Sequence, residues 1–187
     1  MKLQSKYVGF ALRLLLAKAR YRSRLRLQSF EIAMEKDVEL HIDRRSTVEC
    51  GHRAYLRRGT VVDARDGSVL KIGRFVFVNR GCSLVARYAI EIGDETLLGE
   101  YVTIYDHNHN YDNPATGELR NQGYRGKPVS IGRNVWIGSH VFIGAGVSVG
   151  DNSVIGAHTV VTRSIPANSL VYGKTELVMK PRGMNQP

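Results

Sequence analysis

Between Val129 and Thr162 an aliphatic residue returns at every sixth position: Ile131, Ile137, Ile143, Val149, Ile155 and Val161. Glycine follows the first five, at Gly132, Gly138, Gly144, Gly150 and Gly156, and Thr162 follows the sixth. Two residues ahead of each stands Val129, Val135, Val141, Val147, Ser153 or Thr159. A fixed six-residue period reads as the coils of a β-helix. One side of a triangular coil is about six residues long and cannot bury its aliphatic residue alone. Stacking aligns those residues into an inner column, with small or β-branched partners beside it. The glycines are expected where the chain turns between sides and needs unusual backbone angles.

The same period extends outward in weaker form. Residues 31–71 keep it at Ile42, Val48 and Ala54, and again at Leu56 and Val62, with few glycines, as terminal coils do. It is clear at Ile72, Val78, Leu84 and Ile90, then slips by two and resumes at Ile92, Leu98 and Ile104. The slip predicts one longer corner near Ala89 to Glu91. Residues 106–127 have no period; with Pro114, Gly117, Gly123 and Gly126 they read as a loop thrown out from the coil. Long ordered loops in compact folds are usually functional. Past Pro166 the pattern fades. The expected organisation is an N-terminal segment 1–30, a β-helix domain 31–171 with the loop 106–127, and a C-terminal arm 172–187 with a frayed tail.

Of the excess charge of +10, most lies at the start. Lys2, Lys6, Arg13, Lys18, Arg20, Arg22, Arg24 and Arg26 precede the first acid, Glu31. The repeat body is nearly balanced, which argues against a nucleic-acid groove along it. The apolar run from Val8 to Ala17 is broken by Arg13 and too short to span a bilayer. Leu3, Tyr7, Phe10, Ala11 and Leu14 predict an amphipathic helix. After it, arginines at 20, 22, 24 and 26 alternate with Tyr21, Ser23, Leu25 and Leu27, which predicts a strand with one cationic face. Two roles follow: a cap on the open end of the β-helix, or an anchor on anionic lipid. The two cysteines, Cys50 and Cys82, form no CxxC site or disulfide framework. They read as buried reduced thiols in a cytoplasmic setting, with residues 1–30 able to hold the chain on the inner face of a membrane.

Chemistry concentrates where the loop leaves the coil, in Thr103-Ile104-Tyr105-Asp106-His107-Asn108-His109-Asn110. Histidine titrates nearest neutrality and is the natural general base, and a nearby carboxylate can fix its tautomer. Three readings stand side by side: an acid–base histidine, a structural pair bonded within the loop, and a metal site drawing on His107, His109, His140 and His158. No Cys or Glu cluster supports the third. The sole tryptophan, Trp136, precedes the inward Ile137 and should point outward.

Together with the segment Ile131-Gly132-Arg133-Asn134-Val135-Trp136-Ile137-Gly138, these features resemble the hexapeptide-repeat O-acetyltransferases, with galactoside, maltose and nodulation-factor enzymes nearest. The resemblance runs from about Ile72 to Val171. It implies a left-handed parallel β-helix, a homotrimer with active sites between subunits, acetyl-CoA as donor, and no metal. It places the catalytic histidine at His109, seven residues after Val102, with His107 as the alternative. It aligns Trp136, Ser139, Ala157, Thr162 and Arg163 with CoA-contacting positions, Asn79 with an acceptor contact, and Asp106 beside the acceptor. Where the family has acidic residues this chain has Ala86 and Arg87, and Gly173-Lys174-Thr175 replaces a family Gly-Asn/Val-Pro.

The expected activity is acetyl transfer to a sugar hydroxyl. The cationic N-terminus points to an acceptor of envelope polysaccharide synthesis. The alternatives are a free small-molecule acceptor such as an antibiotic or soluble sugar, a β-helix metalloenzyme of the carbonic-anhydrase type, and a non-catalytic scaffold.

Overall fold

The computed structural model describes residues 5–111 and 118–174. The remainder of the arm, residues 175–187, and residues 112–117 of the loop, with Pro114 and Gly117, lie outside the described residues, as does Leu3 of the expected helix. Three parallel sheets form the faces of a prism. The first face stacks Leu25–Leu27, Thr47–Cys50, Val69–Ile72, Ala89–Ile92, Val129–Ile131 and Ser148–Val149. The second stacks Ala33–Met34, Tyr55–Leu56, Phe77–Val78, Leu97–Leu98, Trp136–Ile137, Val154–Ile155 and Leu170–Val171. The third stacks Glu39–Ile42, Val61–Ala64, Ser83–Ala86, Thr103–Tyr105, Phe142–Ile143 and Val160–Val161. The chain visits the faces in turn, so the fold is the expected parallel β-helix.

Every residue of the six-residue aliphatic column is buried, and the small partners Ser153 and Thr159 are buried beside it. The glycines do a different job from the one expected. None of Gly132, Gly138, Gly144, Gly150 or Gly156 adopts a positive φ. The left-handed residues stand two places later, at Asn134, His140, Gly146, Asn152 and His158. All of these glycines but Gly144 answer to close stacking instead: a Cβ on Gly132 would lie 2.3 Å from Asp151 Oδ1, and one on Gly150 would lie 2.2 Å from the Ala167 nitrogen. Coils about 4.8 Å apart leave no room for it.

The two-residue slip near Ala89 is not a longer corner. Ala89–Ile92 is a four-residue strand that points both Ile90 and Ile92 inward. Leu70 with Ile72, and Val48 with Cys50, do the same above it. Longer sides make longer coils: register partners stand 22 residues apart at Val48 and Leu70, 20 at Leu70 and Ile90, and 18 at Ile131 and Val149. Only the last is three sixes, which is why the period fades toward the N-terminus.

The N-terminal helix runs Ser5–Tyr21, and a 3₁₀ turn Arg22–Arg24 leads into the first strand. Of the alternating arginines only Arg26 lies in a strand, exposed between Leu25 and Leu27, because helical propensity carries through Arg20 and the chain then bends at Arg22, with φ 51°. Phe10, Leu14 and Tyr21 are buried on the first coil. Arg24 Nη1 donates to the Ile42 and Asp43 carbonyls at 2.7 and 3.0 Å, and Lys18 Nζ to those of Arg22 and Leu25 at 2.8 and 2.6 Å. The helix caps the prism, and part of the expected cationic face is spent tying it down.

Candidate active site

The loop interrupts the corner between the third and first faces. It opens with an antiparallel hairpin, unforeseen in the sequence: His107–His109 pairs with Tyr124–Gly126, setting His107 opposite Gly126 and His109 opposite Tyr124. Asn110 closes the next rung, its N–H donating to the Gly123 carbonyl at 3.0 Å and its Nδ2 to that of Gln122 at 2.8 Å.

Asp106 anchors the base of the hairpin. Its side chain is 0% exposed, and a buried carboxylate must be hydrogen-bonded. It accepts the backbone N–H of Arg87 at 2.9 and 3.1 Å, that of Tyr88 at 2.8 Å, and His107 Nδ1 at 2.9 Å. A proton on Nδ1 toward the carboxylate leaves Nε2 as the basic nitrogen of His107. Expected beside an acceptor, Asp106 instead has no accessible surface to offer one. The His107 ring stacks on Tyr105 at 5.8 Å, whereas His109 is exposed on the hairpin, 4.4 Å from the Tyr124 ring.

Two residues that the sequence did not place in the site hold this arrangement. Tyr124 meets both histidines, edge-on to His107 at 5.4 Å and tilted to His109. The Arg87 guanidinium lies 3.5 Å from the Tyr124 ring centroid and is ion-paired to Asp66. Arg87, where the family has an acid, clamps the hairpin to the preceding coil; Ala86 is buried in the core. The only sequence signal for this role was the departure itself.

The other predicted residues divide into groups. Trp136 does point outward, 57% exposed on the second face, between Leu97 and Val154 of the adjoining coils. Ser139 and Ala157 lie at the next corner, between the second and third faces, and Ser139 Oγ accepts the Glu100 N–H at 3.2 Å. Asn79 shares that edge, with Oδ1 already bonded to Arg57 Nη1 and the Arg80 N–H, both at 2.9 Å. Thr162 and Arg163 are exposed at the hairpin's own edge, two coils further on. The hairpin leaves the corner opposite the second face. One chain therefore brings Trp136, Ser139 and Ala157 together, but not these with the histidines. Among the described residues no three His, Cys, Asp or Glu side chains gather as a metal site. His140 and His158 stack face to face at 4.9 Å, with Tyr101 on His140 at 5.0 Å.

Comparison with known proteins fits this architecture. Residues 128–163 match the family described as bacterial transferase hexapeptide (six repeats). A Dictyostelium discoideum protein provisionally named an acetyltransferase is 32% identical over 166 residues, covering 88% of this chain and 84% of that protein. The chain belongs to the hexapeptide-repeat acetyltransferase family. Within that family, the Escherichia coli galactoside O-acetyltransferase is 44% identical over 108 residues, or 57% of this chain and 51% of that enzyme. The chain spans about half the length of most of the curated relatives it matches. Among solved structures, a Bacillus cereus N-acyltransferase, crystallised with dTDP-4-amino-4,6-dideoxyglucose and coenzyme A, superposes with a TM-score of 0.71. That match covers 92% of this chain and 90% of that one at 15% identity, a likeness of fold.

Proposed function

We propose that this hexapeptide-repeat protein is an acetyl-CoA-dependent O-acetyltransferase acting on a sugar hydroxyl, with each site shared between two copies in a homotrimer. The observation that carries the reading is the opposition just described. The histidine hairpin and the Trp136 surface lie on opposite sides of one prism, so a cleft holding both needs a neighbour's face against the hairpin. An outward apolar column running Tyr55, Phe77, Leu97, Trp136, Val154 and Leu170 along the second face suits such a contact. In this reading Trp136, Ser139 and Ala157 line the path of the CoA arm. Thr162, Arg163 and Asn79 contact CoA or acceptor from the flanking edges, Asn79 through its remaining Nδ2.

His109 is the general base. It removes the proton of the acceptor hydroxyl; the oxygen attacks the thioester carbonyl, the C–S bond breaks, and the CoA sulfur leaves and takes up the proton. General-base assistance contributes about 10²–10⁴-fold, and holding both substrates in one cleft contributes more. Asp106, His107 and Tyr124 position the hairpin. A second reading makes His107 the base, favoured by its 2.9 Å contact with the buried Asp106 carboxylate.

Acetyl transfer measured as CoA release over a panel of sugar acceptors tests both. His109→Ala should abolish turnover with the fold intact. Wild-type kcat in that variant with collapse in His107→Ala moves the base to His107; no transfer to any sugar removes the proposed acceptor class. The family and the cationic N-terminus favour an acceptor of envelope polysaccharide synthesis over a free small molecule.

A further inference from the structure

The helix that caps the prism is apolar on two opposite sides. Phe10, Leu14 and Tyr21 pack inward. On the outward side Val8, Leu12, Leu15 and Leu16 are 54%, 57%, 53% and 61% exposed. Their spacing, i, i+4, i+7 and i+8, makes a single stripe along the helix. A capping helix has no folding reason for that stripe, because its packing is complete on the other side and solvent favours polar residues there.

Charge identifies what covers it. Arg20 is exposed on the seam between the two apolar sides and Arg22 just beyond the helix end. On the same seam Arg13 Nη1 donates to the Met34 carbonyl at 3.4 Å, and on the other Lys18 is held by the Arg22 and Leu25 carbonyls. No acid occurs before Glu31. The helix itself carries cations and no acid beside the stripe, while Glu35 and Asp37 lie in the groove where Arg13, Leu16 and Arg20 meet the first coil. Aliphatics with exposed cations at the helix end match the acyl–headgroup boundary of an anionic bilayer, where the aliphatics enter and the cations meet phosphates. No described helix is long and apolar enough to cross a membrane, so the contact is in the plane. We infer that the outward face of the Ser5–Tyr21 helix is a docking surface for anionic lipid, while its inward face caps the β-helix. The two roles do not compete, because they use opposite sides of one helix. This inference does not rest on the proposed acetyl transfer.

The test is flotation of the full chain with phosphatidylcholine vesicles, with and without about 30% phosphatidylglycerol, at low and high salt, a screening that weakens surface charge contacts. The expected result is binding to the anionic vesicles only, reduced by salt. The double variant Leu12→Glu and Leu16→Glu alters the exposed stripe and leaves Phe10, Leu14 and Tyr21 in place. It should keep the wild-type melting temperature and lose at least about tenfold in vesicle affinity, two buried leucines each contributing more than that in the transfer scale. Absence of wild-type binding, or equal binding by the double variant, overturns the inference. So does a drop in oligomeric mass of the variant by light scattering, which would give the stripe to a second copy of the chain.

Discussion

Gly126→Ala offers a sharp test of the hairpin. Gly126 faces His107 across the hairpin, and the space for its Cβ is occupied. That atom would lie 2.1 Å from the Asp106 carbonyl oxygen, 2.7 Å from Tyr88 Cε2 and 2.8 Å from His107 Cα. Carbon–oxygen contacts settle at about 3.3 Å or more, so the strands must part by about 1 Å. The neighbouring Lys127 N–H bond to the Asp106 carbonyl, 2.9 Å long, stretches with them. The hairpin projects from the prism, so it can yield without disturbing the buried column. We expect kcat for acetyl transfer to fall about 10²-fold, the usual result of a 1 Å misplacement. Thermal stability should fall by no more than ~4 °C, the equivalent of about one lost backbone hydrogen bond at this size. Gly144→Ala is the control, since its Cβ would meet only the Phe142 ring at 3.3 Å and a carbonyl at 3.7 Å. A Gly126→Ala enzyme with kcat within about threefold of wild type would refute the claim that hairpin position sets the rate.

Three further outcomes follow from the same structure. Trp136 is the only tryptophan and is exposed, so CoA should change its emission on titration, and Trp136→Ala should raise the acetyl-CoA KM more than it lowers kcat; emission indifferent to saturating CoA would remove Trp136 from the donor path. Burial pushes the Cys50 thiol up to about 12 and the Cys82 thiol up to about 11, so a thiol reagent at pH 8 should label neither until the chain unfolds. Burial alone would raise the Asp43 carboxyl, but hydrogen bonds from Ser46 and the N–H groups of Arg45, Asp66 and Ser46 outweigh it and hold it at about 2. A depressed carboxylate stabilises the fold above its unfolded value of about 3.8, and that contribution is lost as pH falls toward 2; acid unfolding of Asp43→Asn should therefore be flatter than wild type across that window.

The aliphatic column was readable because burial inside a coil leaves a strict period, and each of its residues is inside. What the period could not show was why glycine follows. The close approach of Gly132 to Asp151 lies between coils, and no single coil's sequence contains it. Sides with two inward residues, as at Ile90 and Ile92, look like a slip when a coil is assumed to be three sixes. Asp106, His107 and His109 were visible as a cluster, yet the burial of Asp106 and its bond to His107 depend on Arg87 and Tyr88, a coil away. The hairpin left no trace because His-Asn-His against Tyr-Arg-Gly has no apolar alternation to mark two strands.

Parallel stacking also makes the molecule a ruler. The helix closes one end, and the hairpin leaves the fourth strand of the third face, three coil rises further on. At about 4.8 Å each, that is roughly 14 Å along the stack. Adding or deleting one coil between them would move the histidines by a fixed step while leaving both ends intact. For an acceptor carried on a lipid, the number of coils below the hairpin sets how far above the surface its reacting hydroxyl must stand.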